Sequence, residues 1–255
     1  ITGFMTITAA VSYGELSGMF PKAGGQYVFL KEAFNPLAGF LYGWSLFAVI
    51  QTATIAAVGV AFARFTAYFI PEVGESNILV NLGFIKISAA QLLAIALIIF
   101  LTYTNTKGIK GGKIIQTTFT TAKLLALFWL IIFGFLLLKH SFWHENLQTC
   151  FTQPQDLGVD GQGKVATTWK PISTAVLIGA IAASMTGSIF SSDAWNNVTF
   201  IAGEIDRPQR NVPLSLLLGT GIVTVLYLLA NVAYLALLPN EDIAHADADR
   251  VGAAA

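Results

Sequence analysis

Six stretches of this chain are apolar for about the thickness of a bilayer. A helix rises about 1.5 Å per residue, so crossing a hydrocarbon core of about 30 Å takes roughly 20 apolar residues. The stretches cover 1–20, 37–70, 87–103, 114–138, 172–205 and 213–238. The second is too long to stand upright and is expected to tilt. The fifth carries a polar interruption. The predicted fold class is all-α: a polytopic helical membrane protein, read as one transmembrane domain over residues 1–255. Composition excludes the alternatives. Charged residues make up 11% of the chain, against about 25% in a soluble domain. With 55% hydrophobic residues and a mean hydropathy of +0.68, too little polar surface remains to coat a soluble enzyme or a nucleic-acid binder, and a disordered chain is equally excluded. Lys+Arg and Asp+Glu number 14 each, so no net field recruits nucleic acid. The single cysteine, Cys150, cannot close an internal disulfide.

The connecting segments alternate in charge. Pro21–Pro36, Asn105–Lys113 and Asp206–Asn211 hold Lys22, Lys31, Lys107, Lys110, Lys113, Arg207 and Arg210. Pro71–Lys86, Lys139–Pro171 and the tail after Pro239 hold most of the acids, including Glu72, Glu75, Glu145, Asp242 and Asp247. Basic residues concentrate in short cytoplasmic loops, so the first set is expected inside. The chain begins at Ile1 within an apolar run and ends at Ala255 in a polar one, as expected of a piece from the middle of a longer protein.

Charges at membrane depth cost about 2.5–3.5 kcal/mol on insertion scales and are functional candidates. Lys123 stands ten residues beyond Lys113, hence about 15 Å into the fourth stretch. Its ammonium is too deep to snorkel; it serves either as a fixed cation in a transport core or as a structural partner of a neighbouring helix. Ser188-Ile189-Phe190-Ser191-Ser192-Asp193-Ala194-Trp195-Asn196-Asn197 is a polar knot inside the fifth stretch. It reads as a helix broken near Phe190–Trp195, whose irregular backbone lines a cavity and whose freed amides face an anion such as a carboxylate. The competing reading is a continuous helix with a polar face. Arg64, near the outer end of the second stretch, reads as snorkelling to an interface rather than lining a pathway. Glu15 and Glu204 lie near cytoplasmic ends and read as interfacial caps or as an intracellular gate. Gln51 and Thr54 share one helix face, lining a pathway or bonding a neighbouring helix.

Other signals are set aside. Lys107-Gly108-Ile109-Lys110-Gly111-Gly112-Lys113 has the wrong spacing for a phosphate loop, and Ile114 replaces the required Ser/Thr; it reads as a flexible basic loop. His140 and His144 lack the metalloprotease Glu between them, so no metal is expected. Asn197-Val198-Thr199 fits a glycosylation site but falls in the membrane. No His lies at membrane depth to activate a Ser, so an enzyme is not expected, nor is a cofactor. Trp143 and Trp169 read as interface anchors.

Several segments carry a resemblance. They are Tyr13-Gly14-Glu15-Leu16, Pro21-Lys22-Ala23-Gly24-Gly25-Gln26-Tyr27, Ala122-Lys123-Leu124-Leu125-Ala126-Leu127, Phe190 to Val198, Gly203 to Pro213, and Asp249-Arg250-Val251-Gly252. In this order they resemble the amino acid–polyamine–organocation transporter superfamily, closest to its L-type amino acid transporter branch. The resemblance covers essentially the whole chain. It implies a five-plus-five inverted-repeat fold with broken first and sixth helices, of which this chain would hold the second to seventh. It implies an amino acid substrate, with Phe190 as an aromatic gate, Ser191, Ser192 and Asp193 as the unwound stretch meeting the substrate's amino group, and Trp195 and Asn196 continuing that site. It also implies that the Lys123 ammonium takes the place of a sodium ion. Many relatives have Tyr and Gly where Ser192 and Ala194 stand. The cysteine that binds a partner subunit in animal members is missing from Pro71–Lys86, and Cys150 lies in a different loop, so no disulfide-linked partner is expected.

The functional expectation is a multi-pass permease or exchanger of the plasma (inner) membrane. It would move small or neutral amino acids by alternating access without sodium. Proton-coupled symport of amino acids or amines is one alternative, and a non-transporting amino acid sensor is another.

Overall fold

The computed structural model describes residues 1–81, 86–136, 141–152, 155–156, 170–244 and 246. Lys139, His140, Lys164, Trp169, Asp247 and the Asp249–Gly252 segment lie outside the described residues. The apolar stretches form helices: α1 (Thr2–Met19), α3 (Pro36–Ser45) running through a π turn (Leu46–Ile50) into α4 (Gln51–Thr66), α5 (Ala89–Thr106), α6 (Ile109–Leu136), α8 (Thr174–Ser191) and α9 (Pro208–Leu237). Shorter helices are α2 (Gln26–Ala33), α7 (Trp143–Thr152) and α10 (Asn240–Ala244). Among the described residues two short antiparallel strand pairs, β1 (Ile78–Asn81) with β2 (Lys86–Ser88) and β3 (Gln155–Asp156) with β4 (Lys170–Pro171), lie between helices. The all-α polytopic class therefore holds. Among the described residues, five helices are long and apolar enough to cross a membrane: Pro36–Thr66, Ala89–Thr106, Gly111–Leu136, Thr174–Glu204 and Pro208–Leu237. Helix α1 is 18 residues long but dilutes its apolar residues with Thr, Ser, Gly and Glu15.

Local chemistry sets the helix starts. Asn35 Oδ1 accepts from Ala38 N at 2.8 Å with Pro36 in the first turn. Ser88 and Gln91 form a reciprocal capping box on α5, satisfying two otherwise orphaned donors. Pro208 opens α9 after Arg207, which sits in the left-handed region at φ 49°. One expectation is corrected. The Lys107–Lys113 segment is not a flexible loop, because α6 begins at Ile109 and only Lys107 and Gly108 turn the chain. The glycine pair suggests a loop by propensity, yet isolated glycines are tolerated inside a helix at a cost of about 1 kcal/mol each.

The chain packs as two compact units. One joins Gln26–Ala122. Within it α3 meets α2 at Gly39, where a Cβ would approach Tyr27 O to 3.1 Å, and α4 meets α5 where Gly59 faces Ala94. Tyr42 donates its hydroxyl to Gln26 Oε1. The other unit joins Ile1–Gly25 with Lys123–Ala255. Its main helix pair is α1 against α9. Small residues on α1 permit the approach: Gly14 lies against Pro213, Gly18 against Gln209 O, and a Cβ on Gly3 would come within 2.6 Å of Thr224. Small residues are how helices pack closely when lipid removes the hydrophobic drive between them. Ala10, Ala202, Val212 and Leu216 form the buried cluster, with Tyr13, Trp195, Val198 and Ile205 around it. At the end of α9, the buried side chain of Asn146 donates to Leu235 O at 2.8 Å and Leu238 O at 2.9 Å and accepts from Asn240 N at 3.0 Å. The helix α7 thereby caps carbonyls that α9 cannot satisfy itself.

Candidate functional site

The polar knot is a break. The α-helix α8 ends at Ser191, residues 192–194 turn, and the chain resumes as a 3-10 helix, Trp195–Glu204. Ala194 pivots the turn at φ 67° in the left-handed region, which costs an L-residue about 1–2 kcal/mol. The surrounding packing holds it. Trp195 meets Tyr13 of α1 edge to face, with centroids 5.2 Å apart. Thr2 and Ser188 hydroxyls are 2.8 Å apart, and Thr6 Oγ1 donates to Ser192 Oγ at 3.5 Å. Beyond the break, Gly24 N donates to Phe200 O at 3.2 Å. Thr199 is buried to 1% exposure against Gly25, where a Cβ would overlap its hydroxyl. Helix α1 and its following turn thus splint both sides of the interruption.

The break leaves main-chain groups bare. The carbonyls of Ser191, Ser192 and Asp193, and the N–H groups of Ala194, Trp195 and Asn196, have no hydrogen-bond partner among the described residues. The side chains do not fill them. Ser191 Oγ donates to Ser188 O at 2.9 Å, and Ser192 Oγ donates to Ser188 O at 3.0 Å and Ile189 O at 3.1 Å, both folding back on their own helix. Three bare carbonyls lie at the negative end of α8, and three bare amides open the next segment at its positive end. Such a break can take an ammonium on one side and a carboxylate on the other. Phe190 beside it is half exposed, and the Asp193 carboxylate is exposed with no ion-pair partner among the described residues.

The remaining candidates are dispersed. Lys123 is exposed on α6, and no hydrogen bond or ion pair joins it to the break among the described residues. Gln51 and Thr54 are half buried at the start of α4, just past the π turn, in the other compact unit. Glu15 on α1 and Glu204 at the end of the 3-10 segment are both exposed, and neither forms an ion pair among the described residues. Arg64 does more than snorkel: its Nε donates to Glu75 Oε1 at 2.7 Å and its Nη2 to Oε2 at 3.1 Å. This bond holds the Glu75 carboxyl below the usual carboxylate range. Among the described residues no three His, Cys, Asp or Glu side chains gather to hold a metal. The residues that position the break, namely Thr6, Tyr13, Gly25 and Thr199, were not singled out individually by the sequence reading. For Gly25 a signal existed in the paired glycines of Pro21–Gly25.

Comparison with known proteins identifies the family of the chain. The family model described as amino acid permease matches residues 1–255. The chain is 27% identical over 247 residues to b(0,+)-type amino acid transporter 1 of Mus musculus, covering 96% of this chain and 44% of that protein. It is 29% identical over 255 residues to large neutral amino acids transporter small subunit 2 of Homo sapiens, covering 96% of this chain and 41% of that protein. The chain thus spans less than half the length of these relatives. They are transporters, not enzymes.

Proposed function

We propose that this chain, which belongs to the amino acid permease family, acts in a permease or exchanger that moves small or neutral amino acids by alternating access. Family membership and the five apolar helices make it a multi-pass membrane protein; the plasma membrane, with α1 as a sixth span, is our reading of where and how it sits. The observation that carries the proposal is the set of bare main-chain groups at the break. A zwitterion needs carbonyls for its ammonium and amides for its carboxylate, and Ser191–Asn196 offers both without a mobile charge. That the relatives are amino acid transporters supports the same substrate class.

In this reading Phe190 closes over the solute, Ser191, Ser192 and Asp193 present carbonyls to its ammonium, and Trp195 and Asn196 contribute amides to the anionic end. Lys123 substitutes a tethered ammonium for a sodium ion, so transport proceeds without sodium. Gln51 and Thr54 line the pathway, and Glu15 and Glu204 belong to an intracellular gate. No bond is made or broken in the solute. Purified protein in proteoliposomes, assayed for uptake and exchange of labelled neutral amino acids with sodium replaced by choline, tests this. Uptake in choline is the expected result. Saturable binding without flux would convert the reading to a sensor, and neither binding nor flux for any amino acid or amine would falsify it.

A further inference from the structure

The compact unit Gln26–Ala122 holds a cavity that plays no part in the proposed transport site. It has a volume of about 370 Å³ and is lined by Val60, Glu75, Ile78, Lys86, Ser88 and Gln91. That size falls at the lower end of small-molecule pockets, roughly 300–1,000 Å³. Its position is defined by two helix ends: Arg64 lies in the last turn of α4, and Ser88 caps α5. The cavity therefore sits where two membrane-length helices meet water, at headgroup depth.

Its lining is of mixed charge. Lys86 Nζ has no ion-pair or hydrogen-bond partner among the described residues. Glu75 accepts two bonds from Arg64, but a carboxylate offers about four lone-pair sites, so it can still accept from an ammonium. Ser88 and Gln91 satisfy one another through the capping box; the Gln91 amide NH₂ has no acceptor among the described residues and can donate. Val60 and the 47%-exposed Ile78 supply an apolar wall, and Val80 on the same strand is exposed as well. A cation, an anion and an apolar flank within one interfacial cavity match a particular ligand chemistry.

We propose that this cavity binds a zwitterion bearing a primary ammonium and an oxyanion, the chemistry of an aminophospholipid headgroup, with Lys86 taking the oxyanion and Glu75 the ammonium. The lipid is the favoured source because the exposed apolar wall of Ile78 and Val80 gives its acyl chains a surface to lie on, whereas a soluble zwitterion shares only the headgroup chemistry. The proposal is independent of the transport reading, since it rests on the other compact unit.

The test is native mass spectrometry of the purified protein with phosphatidylethanolamine or phosphatidylcholine. The two lipids share the phosphate and differ in whether the ammonium can donate hydrogen bonds. Phosphatidylethanolamine is expected to be retained preferentially. Lys86→Met should lower retention of both lipids about fivefold, the effect of one interfacial cation on a phosphate. Glu75→Gln should abolish the preference between them. Competition by soluble phosphoethanolamine assigns a water-borne ligand, and retention of the diacyl form alone assigns the lipid. Equal retention of the two lipids by the parent protein overturns the proposal, as does a preference unmoved by both substitutions. Both side chains are exposed, so the variants remain foldable.

Discussion

The left-handed turn at Ala194 sets how readily the break forms, and substitution there can be worked through. An alanine at φ 67° carries about 1–2 kcal/mol of strain that a continuous helix would relieve. Glycine carries almost none there. Ala194→Gly therefore shifts the balance between broken and wound forms by about 1–2 kcal/mol toward the break. Since about 1.4 kcal/mol is a factor of ten, that shift is roughly 5–30-fold. Where the wound form is appreciably populated, ligand affinity rises correspondingly. Ala194→Val acts in the opposite sense, because a β-branched side chain fits the left-handed region still less well. The assay is calorimetric titration of a neutral amino acid into each variant, paired with hydrogen exchange at Ala194, Trp195 and Asn196. Their amides have no acceptor among the described residues, so they should exchange fast in the parent and in Ala194→Gly, and more slowly in Ala194→Val. Affinities within twofold and identical exchange across all three proteins would refute the idea that this turn governs the site.

Other expectations follow from single contacts. Lys123→Ala should abolish sodium-free uptake while leaving thermal unfolding within a degree or two, since the side chain is exposed and unbonded among the described residues; an unchanged uptake rate removes it from the mechanism. Asn146→Leu should destabilise by about 2–4 kcal/mol in a detergent-unfolding titration, because it removes three hydrogen bonds worth about 1 kcal/mol each and leaves the end of α9 uncapped. Gly25→Ala should cost about 2–5 kcal/mol in the same titration, combining a left-handed alanine at φ 49° with overpacking of buried Thr199; Gly25→Ser should cost no less. The Arg64–Glu75 pair stabilises by at most about 1 kcal/mol, as its side chains are 64% and 42% exposed. With the Glu75 pKa lowered, chiefly by the Arg64 hydrogen bond, that contribution is present above the ordinary glutamate value and fades as pH falls through the depressed one. The stability difference from Glu75→Gln should therefore be measurable at pH 7 and shrink as pH falls through the depressed Glu75 pKa.

The apolar runs were legible because burial in lipid demands length and hydrophobicity at once, and no other fold class tolerates both. The break was legible for the complementary reason: Ser191, Ser192, Asp193, Asn196 and Asn197 together are too polar for a lipid-facing helix. What periodicity could not show is that the second half winds as a 3-10 helix, since that depends on the pivot at Ala194 and on packing from α1. Thr2 and Ser188 stand 186 residues apart, and Asn146 reaches Leu235 across 89; no local pattern announces such partners. The Lys107–Lys113 segment misled for a different reason. Glycine reads as a breaker, whereas Gly111 and Gly112 are carried within the first turns of α6. The Arg64–Glu75 pair was within reach of the sequence, but the snorkelling reading left the arginine without a named partner.

On the proposed reading, a grip made of peptide groups has an evolutionary corollary. Every amino acid brings the same amide and carbonyl, so exchanging Ser192 or Asn196 for another residue alters the walls around the solute and leaves the hold on its two charged ends in place. Under that proposal, lineages drift from one cargo to another by point mutation without first losing the ability to recognise an amino acid at all.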